Sequence, residues 1–366
     1  MESIENENLS TEVTAEEYAA GIEDEFGVIY SADGKRLLCA NKERDSYIIK
    51  DGTEVICNDA FWMCAKLKQI TIPDSVSIIG DNAFDGCLLL KQIVLPESVE
   101  SIGQSAFIRC ESLKKICLPK SLKNIGRFSF CGCKNLKITS YSSRYIVTDG
   151  LLIDNQEQRL NSFVGNAKNV VIPKSVTAIG EGAFKQCESL RHITIPDSIV
   201  EIGFAPFYKC RNVKLKSESS RFIVQDNMLI DKQNKFLIAY TGNDKNIAIP
   251  DSVTTIGDVA FSYHKSLKHI NIPNTITTIG NQAFSWCNTL RQIIIPDSVT
   301  SIGDWTFAYC ESLLQITIPD SVKYIGDRAF YACESLQQIT IPEGTTEKFK
   351  EMLSEELWNK LIENQQ

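Results

Sequence analysis

Histidine is almost missing from this chain, with three copies in 366 residues, and the commonest general base and metal ligand is scarce with it. His192 and His269 share one place in a repeating unit, just before a strand isoleucine, where a side chain faces solvent. No nucleophile or carboxylate is fixed beside them by sequence. The 13 cysteines come without C-x-x-C or paired-histidine spacing, which argues against zinc. There is no G-x-G-x-x-G, no G-K-[ST] loop and no H-E-x-x-H. Asp304 and Asp327 recur one period apart, but the glycine-rich nonapeptide of a calcium roll is lacking. The expectation is a chain that is not an enzyme and carries no metal or cofactor.

Long apolar runs are lacking too. None approaches the roughly 18 residues that would suggest a bilayer span. The opening Met1-Glu-Ser-Ile-Glu-Asn-Glu has neither the basic nor the apolar region of a secretory signal. Together with cysteines read as reduced thiols, this predicts a cytoplasmic location without membrane insertion. Base is absent from residues 1–26, which hold nine acids, and the net charge of −8 is concentrated there and in residues 343–366; the body between is near +4.

What is abundant is self-similarity. Pro73, Pro96 and Pro119 are 23 residues apart; so are Pro173 and Pro196, and so are Pro250, Pro273, Pro296, Pro319 and Pro342. The unit reads Leu-x-x-Ile-x-Ile-Pro-Asp-Ser-Val-x-x-Ile-Gly-Asp-x-Ala-Phe-x-x-Cys. Leu290, Ile293 and Ile295 fit a strand with alternate side chains inward, and Pro296 ends it. Glycines such as Gly280 and Gly303 are read as sharp turns. Asp81, Asp258, Asp304 and Asp327 are read as N-caps of a short helical turn. Ten phenylalanines from Phe61 to Phe330 are the core filler. Nine cysteines, with His264 in the tenth copy, form one ladder of small apolar residues whose parallel side chains do not converge into disulfides.

Both 54-residue gaps between prolines contain an insert. Ser142-Ser-Arg-Tyr-Ile-Val-Thr-Asp-Gly-Leu-Leu-Ile-Asp matches Ser219-Ser-Arg-Phe-Ile-Val-Gln-Asp-Asn-Met-Leu-Ile-Asp, 77 residues later, and each is predicted to be a β-hairpin. A weaker copy starts at Val28. Residues 1–26 are expected to be an acidic flexible tail. The solenoid spans 27–343, with hairpin units near 27–46, 139–168 and 216–245. Residues 344–366 form a capping helix presenting Phe349, Met352, Leu353, Leu357, Trp358 and Leu361.

The repeated Ile-Thr-Ile-Pro-Asp-Ser-Val-Thr-Ser-Ile-Gly-Asp-x-x-Phe-x-x-Cys resembles the BspA-type leucine-rich repeat of bacterial surface proteins, over roughly residues 45–343. The resemblance implies a β-rich α/β solenoid, a right-handed superhelix whose parallel sheet lines a concave face. It also implies adhesion or glycan binding at a cell surface or after secretion, as the alternative to a non-catalytic scaffold for a protein partner.

Three surfaces are candidates for that partner. The sheet face presents an outward column, Ile294 and Thr317 among it, flanked by His269, Gln292 and Gln315. Tyr263, Trp286 and Tyr309 stand in three consecutive repeats two residues after the core phenylalanine, either as interface anchors or packed on one another. Lys114 to Lys137 carries seven bases and no acid, either for an acidic partner or as a solvated rung; nucleic acid is not expected, because interleaved aromatics are lacking and the whole chain is acidic. The chain is expected to be a monomer.

Overall fold

The computed structural model describes residues 10–364 except Arg211. Two compact units divide the chain: Met1–Lys168 with Ser175–Ser189 and Glu201–Pro206, and Asn169–Lys174 with Leu190–Val200 and Phe207–Gln366. Each is a β-solenoid, and the described residues make about 14 turns.

In the first unit, Ile22–Glu23, Ile29–Tyr30 and Arg36–Cys39 form an antiparallel meander. Its last strand starts a parallel stack that continues through Val55–Ile56, Ile78–Ile79, Ser101–Ile102 and Asn124–Ile125. A second meander, Tyr145–Thr148, Leu151–Asp154 and Arg159–Phe163, leads into Ala178–Ile179 and Glu201–Ile202. The second unit repeats the plan with Phe222–Gln225, Met228–Asp231 and Phe236–Tyr240, followed by Thr255–Ile256, Thr278–Ile279, Ser301–Ile302 and Tyr324–Ile325. The turns expected in the two matching inserts are there: Asp149-Gly150 and Asp226-Asn227 all have positive φ, the backbone of a tight two-residue hairpin. In each insert an arginine holds a buried aspartate at 2.8 Å, Arg144 to Asp154 and Arg221 to Asp231.

The strands read from Leu-x-x-Ile-x-Ile form another side of each turn. In the second unit they run Asn246–Ala248 and His269–Asn271, then Gln292–Ile294, Gln315–Thr317, Gln338–Pro342 and Leu361–Asn364. Alternation decides their facing, so Ile293, Ile316 and Ile339 are buried while Gln292 and Gln315 are exposed. A single parallel sheet therefore understates the architecture, because each turn contributes two strands.

The third side is not helical, which corrects the α/β expectation. Residues 59–63 and their equivalents form consecutive turns with positive φ at both ends, as at Asp59 and Met63 or Gln282 and Trp286. The aspartates expected to be N-caps bond across turns instead. Asp258 Oδ1 accepts the N–H of Asn281 at 2.6 Å, Asn281 Oδ1 that of Asp304 at 2.8 Å, and Asp304 Oδ1 that of Asp327 at 2.9 Å. The glycines one residue earlier are not strained turns. A Cβ on Gly80 would meet the backbone N of Asn58 at 2.6 Å, so the residue is glycine because the previous turn lies against it.

Phenylalanines stack down the core, with ring centroids 5.3 and 5.7 Å apart along Phe84, Phe107 and Phe130, and 5.2, 5.6 and 5.5 Å along Phe261, Phe284, Phe307 and Phe330. None of the 13 cysteines is in a disulfide. Those in the ladder are more than apolar filler: Cys87, Cys110 and Cys133 donate to the carbonyls of Phe61, Phe84 and Phe107 at 3.3, 3.3 and 3.2 Å. Cys287, Cys310 and Cys333 do the same to Phe261, Phe284 and Phe307 at 3.3, 3.2 and 3.1 Å. In the tenth copy the longer ring of His264 reaches the Asp244 carbonyl at 2.9 Å.

Two terminal expectations change. Residues 1–9 of the acidic tail lie outside the described residues. Residues 10–26 are tied down: Thr14 caps a helix at Ala15–Ala19, Asn58 donates to the Thr11 carbonyl at 2.8 Å, and Glu17 pairs with Arg36. At the other end, one long capping helix is replaced by a helix at Thr346–Met352, a 3₁₀ turn at Glu355–Lys360 and a strand at Leu361–Asn364. Phe349, Leu353 and Leu357 are buried in the core of this unit, whereas Trp358 is exposed.

Candidate functional site

All eight residues singled out as binding candidates lie in the second unit. On the strand side, Gln292 and Gln315 are register partners, as are Ile294 and Thr317. His269, Gln292, Ile294 and Thr317 line an open groove of about 800 Å³, together with Asn271 and Thr340. Gln315 stands in the exposed column beside it. Ile294 is 60% exposed and Ile362, the register partner of Thr340, is 49% exposed, apolar points in a column otherwise of amides and hydroxyls. Lys245, Lys268 and Arg291 precede these strands, while Asp251, Asp297, Asp320 and Glu343 follow them, all exposed. The face is basic along one edge and acidic along the other. The side chains of His269, Gln292 and Gln315 bond to no other group among the described residues, so their hydrogen-bonding capacity faces outward.

The aromatic strip lies on the turn side. Tyr263 and Trp286 stack at 5.3 Å with 11° between planes, and Trp286 and Tyr309 at 4.2 Å with 16°. The strip is longer than the spacing predicted. Tyr208 meets Tyr263 edge-on at 5.4 Å, and Tyr331 meets Tyr309 edge-on at 5.5 Å. Lys209 Nζ sits 4.1 Å from the Tyr263 ring, and Arg328 lies 5.0 Å from the ring of Trp305. Tyr208 and Tyr331 were missed because each stands one residue before the position used by the other three. A search for aromatics at either neighbouring position would have found them.

Tyr263, Trp286 and Tyr309 all have φ of 60° to 64°. Side chains with a Cβ are uncommon there, and Gly86 and Gly132 fill the same place in the first unit with positive φ. Backbone preference therefore does not explain the aromatics. Mutual stacking leaves ring edges rather than faces toward solvent.

Three of the seven bases in the basic stretch of the first unit pair with acids at the surface. Lys123 pairs with Glu100 at 2.8 Å, Lys134 with Glu111 at 2.9 Å and Arg127 with Glu181 at 2.6 Å. His192 is exposed and 2.9 Å from Asn169; His264 is buried. Among the described residues, no group of three or more His, Cys, Asp or Glu is arranged to hold a metal ion, and no helix is long and apolar enough to cross a membrane.

Comparison with known proteins adds the following. The family model for the BspA type leucine rich repeat region matches in six copies, over residues 38–150, 161–236 and 231–354. No curated protein matches the chain. Among solved structures, a leucine rich cell surface protein from Faecalibacterium prausnitzii A2-165 is 24% identical, covering 91% of this chain and 80% of that one, with a TM-score of 0.41. A leucine-rich repeat protein from Eubacterium ventriosum ATCC 27560 is 22% identical over 86% and 76% of the two chains, with a TM-score of 0.48. The pneumococcal vaccine antigen PcpA is 20% identical over 94% and 82%, with a TM-score of 0.44.

Proposed function

The chain belongs to the BspA-type leucine-rich-repeat family, and from that premise we propose that it is a non-catalytic scaffold binding a protein partner on the strand face of its second unit. One observation carries the reading. The exposed His269, Gln292 and Gln315 stand in successive turns with their polar groups unspent, beside a groove with Ile294 at its centre. A rigid ladder of this kind loses little ordering entropy on binding, and its split charge favours one orientation of the partner. A right-handed superhelix would make this face concave and gather the contacts.

The family supports work at the cell surface or after secretion in preference to the cytoplasm. The cysteines do not oppose it: most of them are buried, and a buried, protonated thiol resists oxidation in either compartment. Glycan binding has less support than protein binding, because Tyr263, Trp286 and Tyr309 stack face to face on one another and so withdraw the ring faces on which a sugar would pack.

The test is affinity capture from the native host with mass spectrometry, followed by two triple variants. Changing His269, Gln292 and Gln315 to Ala should abolish recovery of a stoichiometric protein. Changing Tyr263, Trp286 and Tyr309 to Ala should leave it. Wild-type affinity in both variants would remove the partner from these turns altogether.

A further inference from the structure

The turn side of the second unit ends on an unfinished ladder. The N–H groups of Val259, Phe261 and Tyr263 donate to the carbonyls of Asn281, Ala283 and Ser285 at 2.9, 2.8 and 2.8 Å. Those of Gln282, Phe284 and Trp286 reach Asp304, Thr306 and Ala308 at 2.8, 2.9 and 2.9 Å, and those of Trp305, Phe307 and Tyr309 reach Asp327, Ala329 and Tyr331 at 2.9, 2.8 and 2.8 Å. Every donor points toward the following turn. In the last turn the equivalent donors are Arg328, Phe330 and Ala332, and no acceptor among the described residues takes them. Phe330 is 5% exposed, and a backbone donor without a protein partner in so buried a residue is rare. Beyond this turn the chain turns away into Gln338–Pro342 and the helix at Thr346–Met352. Phe349, Leu353 and Leu357 seal the core but leave a cavity of about 620 Å³ between Ile325–Tyr331 and Glu351–Leu357.

We propose that this open edge is a second docking site, distinct from the strand face, for a segment of a protein partner that adds as one further turn. The donors ask for carbonyl oxygens at alternate residues, which a partner backbone in the same turn geometry supplies; unpaired edges are templates for such addition. Charge narrows the choice. Asp327, Glu351 and Glu356 line the cavity, while the guanidinium of Arg328 is held near the rings of Trp305 and Tyr331, at 5.0 and 5.8 Å. A free anion meets three carboxylates there. A neutral backbone carrying a Lys or Arg side chain satisfies donors and carboxylates together.

The probe is a blocked peptide, Gly-Asp-Arg-Ala-Phe-Tyr-Ala-Ser, copying residues 326–333 with serine in place of the cysteine; a scrambled peptide is the control. Amide hydrogen exchange of the full chain is read by NMR. Without peptide, the N–H groups of Arg328, Phe330 and Ala332 should exchange at least about 100-fold faster than those of Trp305, Phe307 and Tyr309. Millimolar peptide should slow the three by about 10-fold or more, and the scrambled peptide should not. Glu351→Lys with Glu356→Lys should weaken binding by about 5-fold. Protection of the three amides in the free chain, or exchange unchanged by the copied peptide, overturns the proposal. Neither result touches the strand face, whose variants lie elsewhere.

Discussion

The thiol of Cys310 lies 3.2 Å from the Phe284 carbonyl in a site closed to water, and burial pushes its pKa well above the ordinary thiol value. Burial also raises Cys287 and Cys333, each to about 12. An unfolded cysteine loses its proton near pH 8.5. Between that pH and about 12 the unfolded chain therefore binds fewer protons than the folded one, and stability falls as pH rises. Below pH 8 these thiols are protonated in both states and contribute no slope. Urea midpoints should accordingly hold level from about pH 6 to 8 and drop toward pH 10, less steeply once Cys287→Ala and Cys333→Ala remove two of the groups. A midpoint that stays level to pH 10 would show these thiols to be solvated. At the same scale, Gly80 and its equivalents show how a residue can be read correctly as necessary and wrongly as to cause. Sequence marks the glycine, but a strained φ and a close neighbour leave the same mark.

Elements are joined here by side chains that bond to the backbone about one turn away. Asn281 accepts the N–H of Asp304 at 2.8 Å, Ser298 donates to the Ile276 carbonyl at 2.6 Å and Ser321 to the Val299 carbonyl at 2.8 Å. Asn281→Asp should be close to neutral, since Asp258 and Asp304 play the same part. Asn281→Ala should lose about 1 to 3 kcal/mol in chemical denaturation, the cost of an unpaired N–H. Equal stability of the two variants would mean that water replaces the side chain. These bonds also mark the limit of what could be read without coordinates. Pro, Phe and Cys at a 23-residue spacing reveal the repeat, and β-branched runs around Asp149-Gly150 reveal the hairpin. An aspartate after Ile-Gly looks the same whether it caps a local helix or bonds across a turn, because periodicity records position and not the direction of a hydrogen bond. The aromatic strip was half legible for a related reason: Tyr208 and Tyr331 reach it from a neighbouring register position.

For the whole molecule, the governing fact is that a turn packs mainly on the turns before and after it. Within each unit an antiparallel meander opens the side of the stack that carries the Ile-Gly strands. At the end of the second unit the core is closed by Phe349, which is fully buried, and by Leu353 and Leu357. Stacked phenylalanine rings contribute about 0.5 to 1.5 kcal/mol per pair beyond their buried area, so the ladder is held by many small neighbour terms rather than by one centre. Loss of the cap should therefore be felt locally. Phe349→Ala should destabilise the last turns by about 3 to 5 kcal/mol through the cavity it leaves. Hydrogen exchange should then quicken over residues 315–342 while amides of the first unit, such as those of Phe84 and Phe107, keep their rates. The alternative is a single cooperative transition, in which protection falls by the same factor everywhere. Uniform loss in the variant would refute turn-by-turn stability and make the cap a determinant of the entire fold.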